Sequence, residues 1–358
     1  MNRRTFLSQS AGSLVGLAGA GVLGSVAAQE VNQAAGMITP ATQRLIDNSL
    51  DWLAAQQNRQ DGSFGTGNYS GHVAVTSLAG LALMAGGHQP GRGRHGEKVT
   101  RAVEYIVRRC EDPNVPGFLN SPRGFNHGPM YGHGFATLFL AEVYGMVYTN
   151  PLQSELRACL GRAVRLILSS QNAEGGWRYN PRPQDADLSV TICQIMALRA
   201  ARNGGLSVPR ANRDRCVEYV RRCQGPDGGF RYQPFGGPSG FARTAAGVVA
   251  LYSAGVYNDP AVTRGLDYLN RMRPGAGGGM FGQPDFHYYY GHYYAVQAMW
   301  IAGGNYWRQW YPAIREELLN SRRADGSWQQ GLMCSNYCTA MALIILQVPN
   351  NYLPILQR

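Results

Sequence analysis

A short turn recurs along this chain: "QDGSF" (60–64), "AEGGW" (173–177), "PDGGF" (226–230) and "ADGSW" (324–328), with a looser copy, "GGGMF", at 277–281. An acidic residue, a glycine, a Gly or Ser and then Phe or Trp describe a tight turn with an aromatic plug. Glycine supplies the unusual backbone angles, the acid can bond neighbouring amides, and the ring anchors the loop. Internal self-similarity of this kind points to stacked supersecondary units.

Each turn follows an amphipathic pattern. "ATQRLIDNSLDWLAAQQ", "ELRACLGRAVRLILSSQ", "RDRCVEYVRRCQ", "AVTRGLDYLNRM" and "AIREELLNSR" space their apolar residues by three or four, with charge between them. Each turn is followed by a second pattern, poor in charge and rich in small residues. Aligned, these second segments begin at His72, His133, Asp187, Gly240, His292 and Ser335, and their fifth residues are Thr76, Thr137, Thr191, Thr244, Val296 and Thr339. The alignment predicts six helical hairpins, each with a charged outer helix and an apolar inner one. A single hairpin cannot bury its inner face, so the hairpins must stack. Closing them into a ring predicts an all-α (α/α)6 toroid, a single domain over residues 41–358.

The N-terminal residues read differently. "NRRTFL" (2–7) carries paired arginines, a Gly/Ala-rich apolar stretch follows from Ala11 to Ala28, and "SVAAQE" ends it. This order predicts a twin-arginine export signal over residues 1–28, a short linker over 29–40, and a periplasmic or otherwise extracytoplasmic location. The stretch holds too many glycines for a good spanning helix. Lys and Arg exceed Asp and Glu, 33 to 22, but the basic residues lie dispersed and do not alternate with aromatics. That excludes a nucleic-acid surface and leaves room for peripheral membrane contact. The chain's 7 cysteines include no C-x-x-C pair. Zinc-knuckle and redox motifs are therefore not read, and most of these thiols are expected to be small buried hydrophobes.

The turn together with its preceding glutamine, as in "QNAEGGW" (171–177) and "QGPDGGF" (224–230), resembles the signature of the prenyltransferase and squalene-cyclase repeat family, over roughly residues 40–350. That resemblance implies an α/α toroid and, for the cyclases, an Asp-x-Asp-Asp motif whose middle aspartate protonates the substrate. "DADL" places Asp185 and Asp187 on its first two acidic positions and Leu188 on its last, a departure from the pattern. The Asp, Cys, His zinc site of protein prenyltransferases is not matched, because Gly240 and Ala242 stand in its first two places. No cofactor or metal is implied.

If the aligned segments close into a ring, their first residues share one rim. Asp187 then becomes a candidate general acid, because burial disfavours its charged form, with His133 as the neighbour that would strengthen it. Asp185 joins Asp187 and His133 as a candidate catalytic residue; His72, His292, Ser335, Arg243, Tyr293 and Asp285 are expected around the same cavity, with Phe135, Phe139, Tyr288, Tyr289, Tyr290, Tyr294 and Trp300 as aromatic walls able to stabilise a cation. Asp187 equally suits a helix N-cap, and Arg243 could hold it ionised. Three functions follow. The first is terpenoid-cyclase-like chemistry on a small hydrophobic, isoprenoid-like ligand. The second is glycoside hydrolysis or polysaccharide lysis on a saccharide, with Asp187 and Asp285 as the carboxylate pair about 5 to 9.5 Å apart. The third is an exported, non-catalytic binding module.

Overall fold

The computed structural model describes residues 33–111, 115–122, 128–275 and 287–357. The predicted export signal, the "GGGMF" copy and Asp285 lie outside these residues. Twelve α-helices occur among the described residues: α1 Pro40–Ala55, α2 Val73–Ala85, α3 Gly96–Arg108, α4 Pro129–Val143, α5 Leu152–Ser169, α6 Leu188–Asn203, α7 Arg210–Arg222, α8 Phe241–Ser253, α9 Pro260–Arg271, α10 Tyr288–Ala302, α11 Gly304–Ser321 and α12 Ser335–Gln347. They pair in chain order into six hairpins, odd-numbered helices outside and even-numbered inside. Each inner helix packs on the next, and α12 packs back on α2, so the ring is closed. The architecture is the all-α toroid expected from the repeat.

The two helix classes differ as their sequences dictate. On α3, Val99, Ala102, Val103 and Ile106 are buried at three- and four-residue spacing, while Lys98, Arg101 and Glu104 stay clear of the core. On α2 every residue from Val73 to Ala85 is buried, because outer helices cover one side and the ring interior takes the other. Each Leu or Val shut in this way contributes roughly 1.5–3 kcal/mol. Small residues set the spacing between neighbours: a Cβ on Gly80 would come 2.5 Å from the Phe139 ring of α4.

The turn signature explains how hairpins find their neighbours. The backbone N–H of each aromatic plug donates to the threonine of its inner helix: Phe64 to Thr76 at 2.9 Å, Trp177 to Thr191 at 3.1 Å, Phe230 to Thr244 at 2.8 Å and Trp328 to Thr339 at 3.0 Å. The glutamine preceding the turn reaches two ways. The Gln171 amide donates to Gly175 O in its own turn and to Asn212 O on the next outer helix, at 2.8 and 2.9 Å. Gln57 and Gln224 repeat this, bonding Gly62 O and Lys98 O, and Gly228 O and Ala261 O. The same logic shuts the ring, since Arg322 Nε donates to Ser49 Oγ on α1 at 2.9 Å. A further turn, around Gly117, went unread in the sequence: Gly117 backs onto Arg162 of α5 as Gly175 backs onto Arg215 of α7.

The two ends of the collar differ. At the C-terminal ends of the inner helices the tail crosses the ring, burying Leu353, Ile355 and Leu356. Glu142 accepts from Ile355 N at 3.2 Å, and Arg199 donates to Tyr252 O at 3.4 Å and to Gln357 O at 2.5 Å. The turns gather at the other end, where the inner helices begin.

Candidate functional site

Asp187 stands at that second end as the N-cap of α6, its Oδ1 accepting from Val190 N at 2.9 Å. Two strand-like contacts fix its backbone: Asp187 N donates to Trp177 O and Leu188 N to Tyr232 O, at 3.0 and 2.9 Å. Its side chain is wholly buried. The cation beside it is Arg178, not Arg243. Arg178 Nη1 lies 3.1 Å from Asp187 Oδ2, and Arg178 Nε lies 3.2 Å from Oδ2 of Asp185, whose side chain is 59% exposed. Arg243 comes from the first turn of α8 and lies back over Gly240. The correction has a physical origin: Arg178 follows the Trp177 plug directly, so the turn that seats α6 also delivers the guanidinium to its cap.

Burial pushes the Asp187 carboxyl up to about 6, against the lowering effects of the Val190 amide, Arg178 and a hydrogen bond with Tyr232. Around it the tyrosines form a connected wreath. Tyr179 and Tyr232 share a hydroxyl–hydroxyl bond of 2.5 Å, and Arg178 sits 4.4 and 5.3 Å above their rings. The Tyr131 ring is 6.0 Å from Tyr179 and 6.5 Å from Tyr290, edge-on to the latter. Tyr290 donates to Ser189 O at 2.9 Å. Tyr131, Tyr179, Tyr232 and Tyr290 are all half-buried, so the buried carboxyl lies close beneath the partly exposed tyrosine end of the collar. Below it, Phe135 and Tyr293 meet at 6.0 Å and the Tyr294 hydroxyl lies 3.3 Å from Cys193 Sγ. Tyr293 packs between inner helices, its hydroxyl 3.9 Å from Met196 Sδ.

The histidine column does not hold. His72 caps α2 through Nδ1, which accepts from Ala74 N at 3.2 Å. His133 is instead a full turn inside α4, which begins at Pro129, and does the work that threonine does in other hairpins. Its Nδ1 accepts from Leu119 N at 3.2 Å and its Nε2 meets Ala163 O of α5 at 3.3 Å. Leu119 follows Gly117 by two residues, the place of the aromatic plug. Burial presses His133 down to about 4, so it is a neutral anchor turned toward the outer ring and makes no contact with Asp187. His292 occupies the matching place in α10, packed on Tyr288, Phe241 and Trp310 at 4.5, 4.8 and 6.0 Å, and burial lowers it to about 3. Ser335 opens α12 half-buried on the mouth side. Of the proposed rim, the structure therefore assembles Asp187 and Asp185 with Arg178, Tyr179 and Tyr232, and turns His133 and His292 away.

Sequence reasoning missed Arg178 and Tyr232, although a signal was present: "GGWRYNP" and "GGFRYQP" are copies of one another, at 175–181 and 228–234. Among the described residues no group of three or more His, Cys, Asp or Glu side chains is placed to hold a metal ion, and no helix is long and apolar enough to cross a membrane.

A family model described as the prenyltransferase alpha-alpha toroid domain matches residues 30–114 and 144–285. Drimenyl diphosphate synthase from Streptomyces showdoensis is 30% identical over 185 residues, 51% of this chain and 31% of that protein. The enzyme of the same name from Streptantibioticus cattleyicolor is 27% identical over 185 residues. The match thus spans about a third of these relatives' length, 31% in each. The type II terpene cyclase MstE from Scytonema superposes with a TM-score of 0.59 at 16% identity, covering 90% of this chain and 100% of its own. Cellobiose 2-epimerase from Bacillus thermoamylovorans B4167 superposes with a TM-score of 0.62 at 11% identity, covering 87% and 100%. At such identities the structural likenesses establish the fold alone. The family match extends over more than half of the chain, and this protein belongs to the prenyltransferase alpha-alpha toroid domain family.

Proposed function

We propose that the chain is an exported, terpenoid-cyclase-like enzyme that admits an isoprenoid-type substrate through the tyrosine-lined mouth, with Asp187 as the proton donor. The observation that carries this reading is the wholly buried Asp187 carboxyl, raised to about 6 by that burial and bonded to Tyr232 among half-buried tyrosines. Near pH 7 such a group is neutral in roughly one molecule in ten. Its proton would pass to a substrate alkene, the aromatic faces of the collar would stabilise the cation, and Arg178 would hold the carboxylate left behind. MstE has been solved with geranylgeranyl dihydroxybenzoate as substrate, which supports a ligand of this chemical class. The paired arginines at Arg3 and Arg4 support export.

A specific observation favours a second reading, the binding module. Both Asp187 oxygens already have partners, Val190 N on one and Arg178 on the other, so the carboxylate also serves as a structural fixture. The saccharide reading rests on fold likeness to the epimerase, with Asp285 outside the described residues.

Asp187→Asn separates these roles, since asparagine caps helices as well as aspartate but has no proton to give. With linear isoprenoids of graded length and gas-chromatographic product analysis, the wild type is expected to form cyclic products. The variant is expected to lose activity by about 10²–10⁴-fold while still quenching tryptophan fluorescence on binding. Binding by both proteins without any cyclic product would replace the enzyme by the binding module.

A further inference from the structure

Away from Asp187, a groove of about 700 Å³ lies where the fifth hairpin meets the sixth, between the start of α10 and the C-terminal half of α11. Tyr288 and Tyr289, their rings nearly perpendicular at 5.0 Å, border it from α10, and Ala313, Glu317 and Asn320 border it from α11. Both tyrosines are expected from the sequence as walls of the central cavity; the structure places them on this groove. We propose that the groove is a separate ligand site that takes a small organic cation, with Glu317 as its counter-charge and the Tyr289 hydroxyl as a further acceptor.

Glu317 is half-buried, and its Oε1 accepts from the Tyr288 hydroxyl at 2.5 Å. Among the described residues no Lys, Arg or His pairs with it, and burial raises its carboxyl against the effect of the Tyr288 bond. Other shielded carboxylates are answered differently: Asp187 has Arg178 at 3.1 Å and Asp259 has Arg221 at 2.7 Å. Even the neighbouring, exposed Glu316 is held by Arg315 at 2.7 Å. Glu317 therefore keeps an uncompensated charge where water screens it less than at the open surface.

Tyr289 is an independent pointer to a ligand. It is only 4% exposed and borders the groove, yet its hydroxyl has no hydrogen-bond partner among the described residues. A shielded hydroxyl is costly to leave unpaired, and its oxygen can accept from an N–H donor. The chemistry of the wall selects the sign of the ligand. The chain carries 33 Lys and Arg against 22 Asp and Glu, but no basic side chain borders this groove. An anion would meet Glu317, and a neutral molecule would leave its charge unanswered. An ammonium group has three donors, for the Glu317 carboxylate, the Tyr289 hydroxyl and the Asn320 carbonyl oxygen. Pro274 and Ala313 offer apolar surface to an alkyl stem, and the tyrosine rings attract the cation further.

The test uses the full chain in phosphate buffer and n-butylammonium as the probe, with n-butanol and butyrate as its neutral and anionic counterparts, titrated by saturation-transfer NMR. The wild type is expected to bind butylammonium at least about tenfold more tightly than butanol, and butyrate more weakly still. Glu317→Gln is expected to weaken butylammonium about tenfold and Tyr289→Phe about threefold, with butanol little changed in either. Equal binding of butanol, a preference for butyrate, or a butylammonium affinity unchanged in either variant would overturn the proposal. Tyr289→Phe removes a single oxygen, so the test survives if Glu317→Gln fails to fold. No isoprenoid and no turnover enter the measurement, so its outcome is separate from the role of Asp187.

Discussion

The Asp187 carboxyl meets opposing influences: burial favours its neutral form, while the Val190 amide, Arg178 and Tyr232 favour the charged one. Burial wins, and the group rises from the ordinary 3.8 to about 6. The folded protein therefore holds a proton on this carboxyl, between about pH 4 and 6, that the unfolded chain releases. Folded-state stability must fall as pH rises through that window, because above it a charge has to be kept in a buried place. A rise of this size corresponds to about 3 kcal/mol. Asp187→Asn removes this dependence, so the stability of the variant relative to wild type is expected to climb from pH 4 to pH 6 by a sizeable part of that figure. Denaturant melts at half-unit pH steps measure it. His133 and His292, lowered to about 4 and 3, shift stability in the opposite sense but do so in both proteins and cancel in the difference. A flat difference across the window would mean that Arg178 holds the carboxylate charged throughout.

Among the elements, the turn between an outer and an inner helix sets the tightest limits on sequence. Gly175 has φ +99°, and a Cβ there would come 2.1 Å from Arg215 O on the next outer helix. Gly205, in the turn after α6, has a similar φ of +92° with nothing within 4 Å. Gly205→Ala is expected to cost about 1–2 kcal/mol from backbone strain alone, and Gly175→Ala several kcal/mol more, because backbone cannot yield as a side chain can. Comparative thermal melts check the ordering. These turns are also where the sequence is most and least legible. Thr76, Thr191, Thr244 and Thr339 can be read as a column because each takes a plug amide, which demands one hydroxyl at one helical offset. Thr137 misled the same alignment. Its hydroxyl bonds His133 O within α4, and His133 takes over the anchoring place. Pro129 at the first position of α4 marks its early start, whereas an alignment on Thr137 slips His133 by four residues onto the rim.

For the whole molecule, the asymmetry of the two ends determines where a ligand can approach. Capping one end demands that the tail satisfy polar groups as well as cover apolar ones: Glu142 needs the Ile355 amide and Arg199 needs the Gln357 carbonyl, both in a buried setting. Removing residues 352–358 would expose the inner-helix ends beneath Leu353, Ile355 and Leu356 and leave Glu142 and Arg199 without these partners. At roughly 1.5–3 kcal/mol for each buried aliphatic side chain, the truncated chain is expected to lose on the order of 5 kcal/mol, and to bind an apolar dye that the full chain excludes. If ligands enter only at the tyrosine mouth, an isoprenoid should compete with that dye poorly in the truncated protein, because the dye then occupies the opposite end. Strong competition there would mean that the tail end also opens into the ligand's route. Urea melts with and without the dye, on the full and shortened chains, separate lost stability from newly exposed surface.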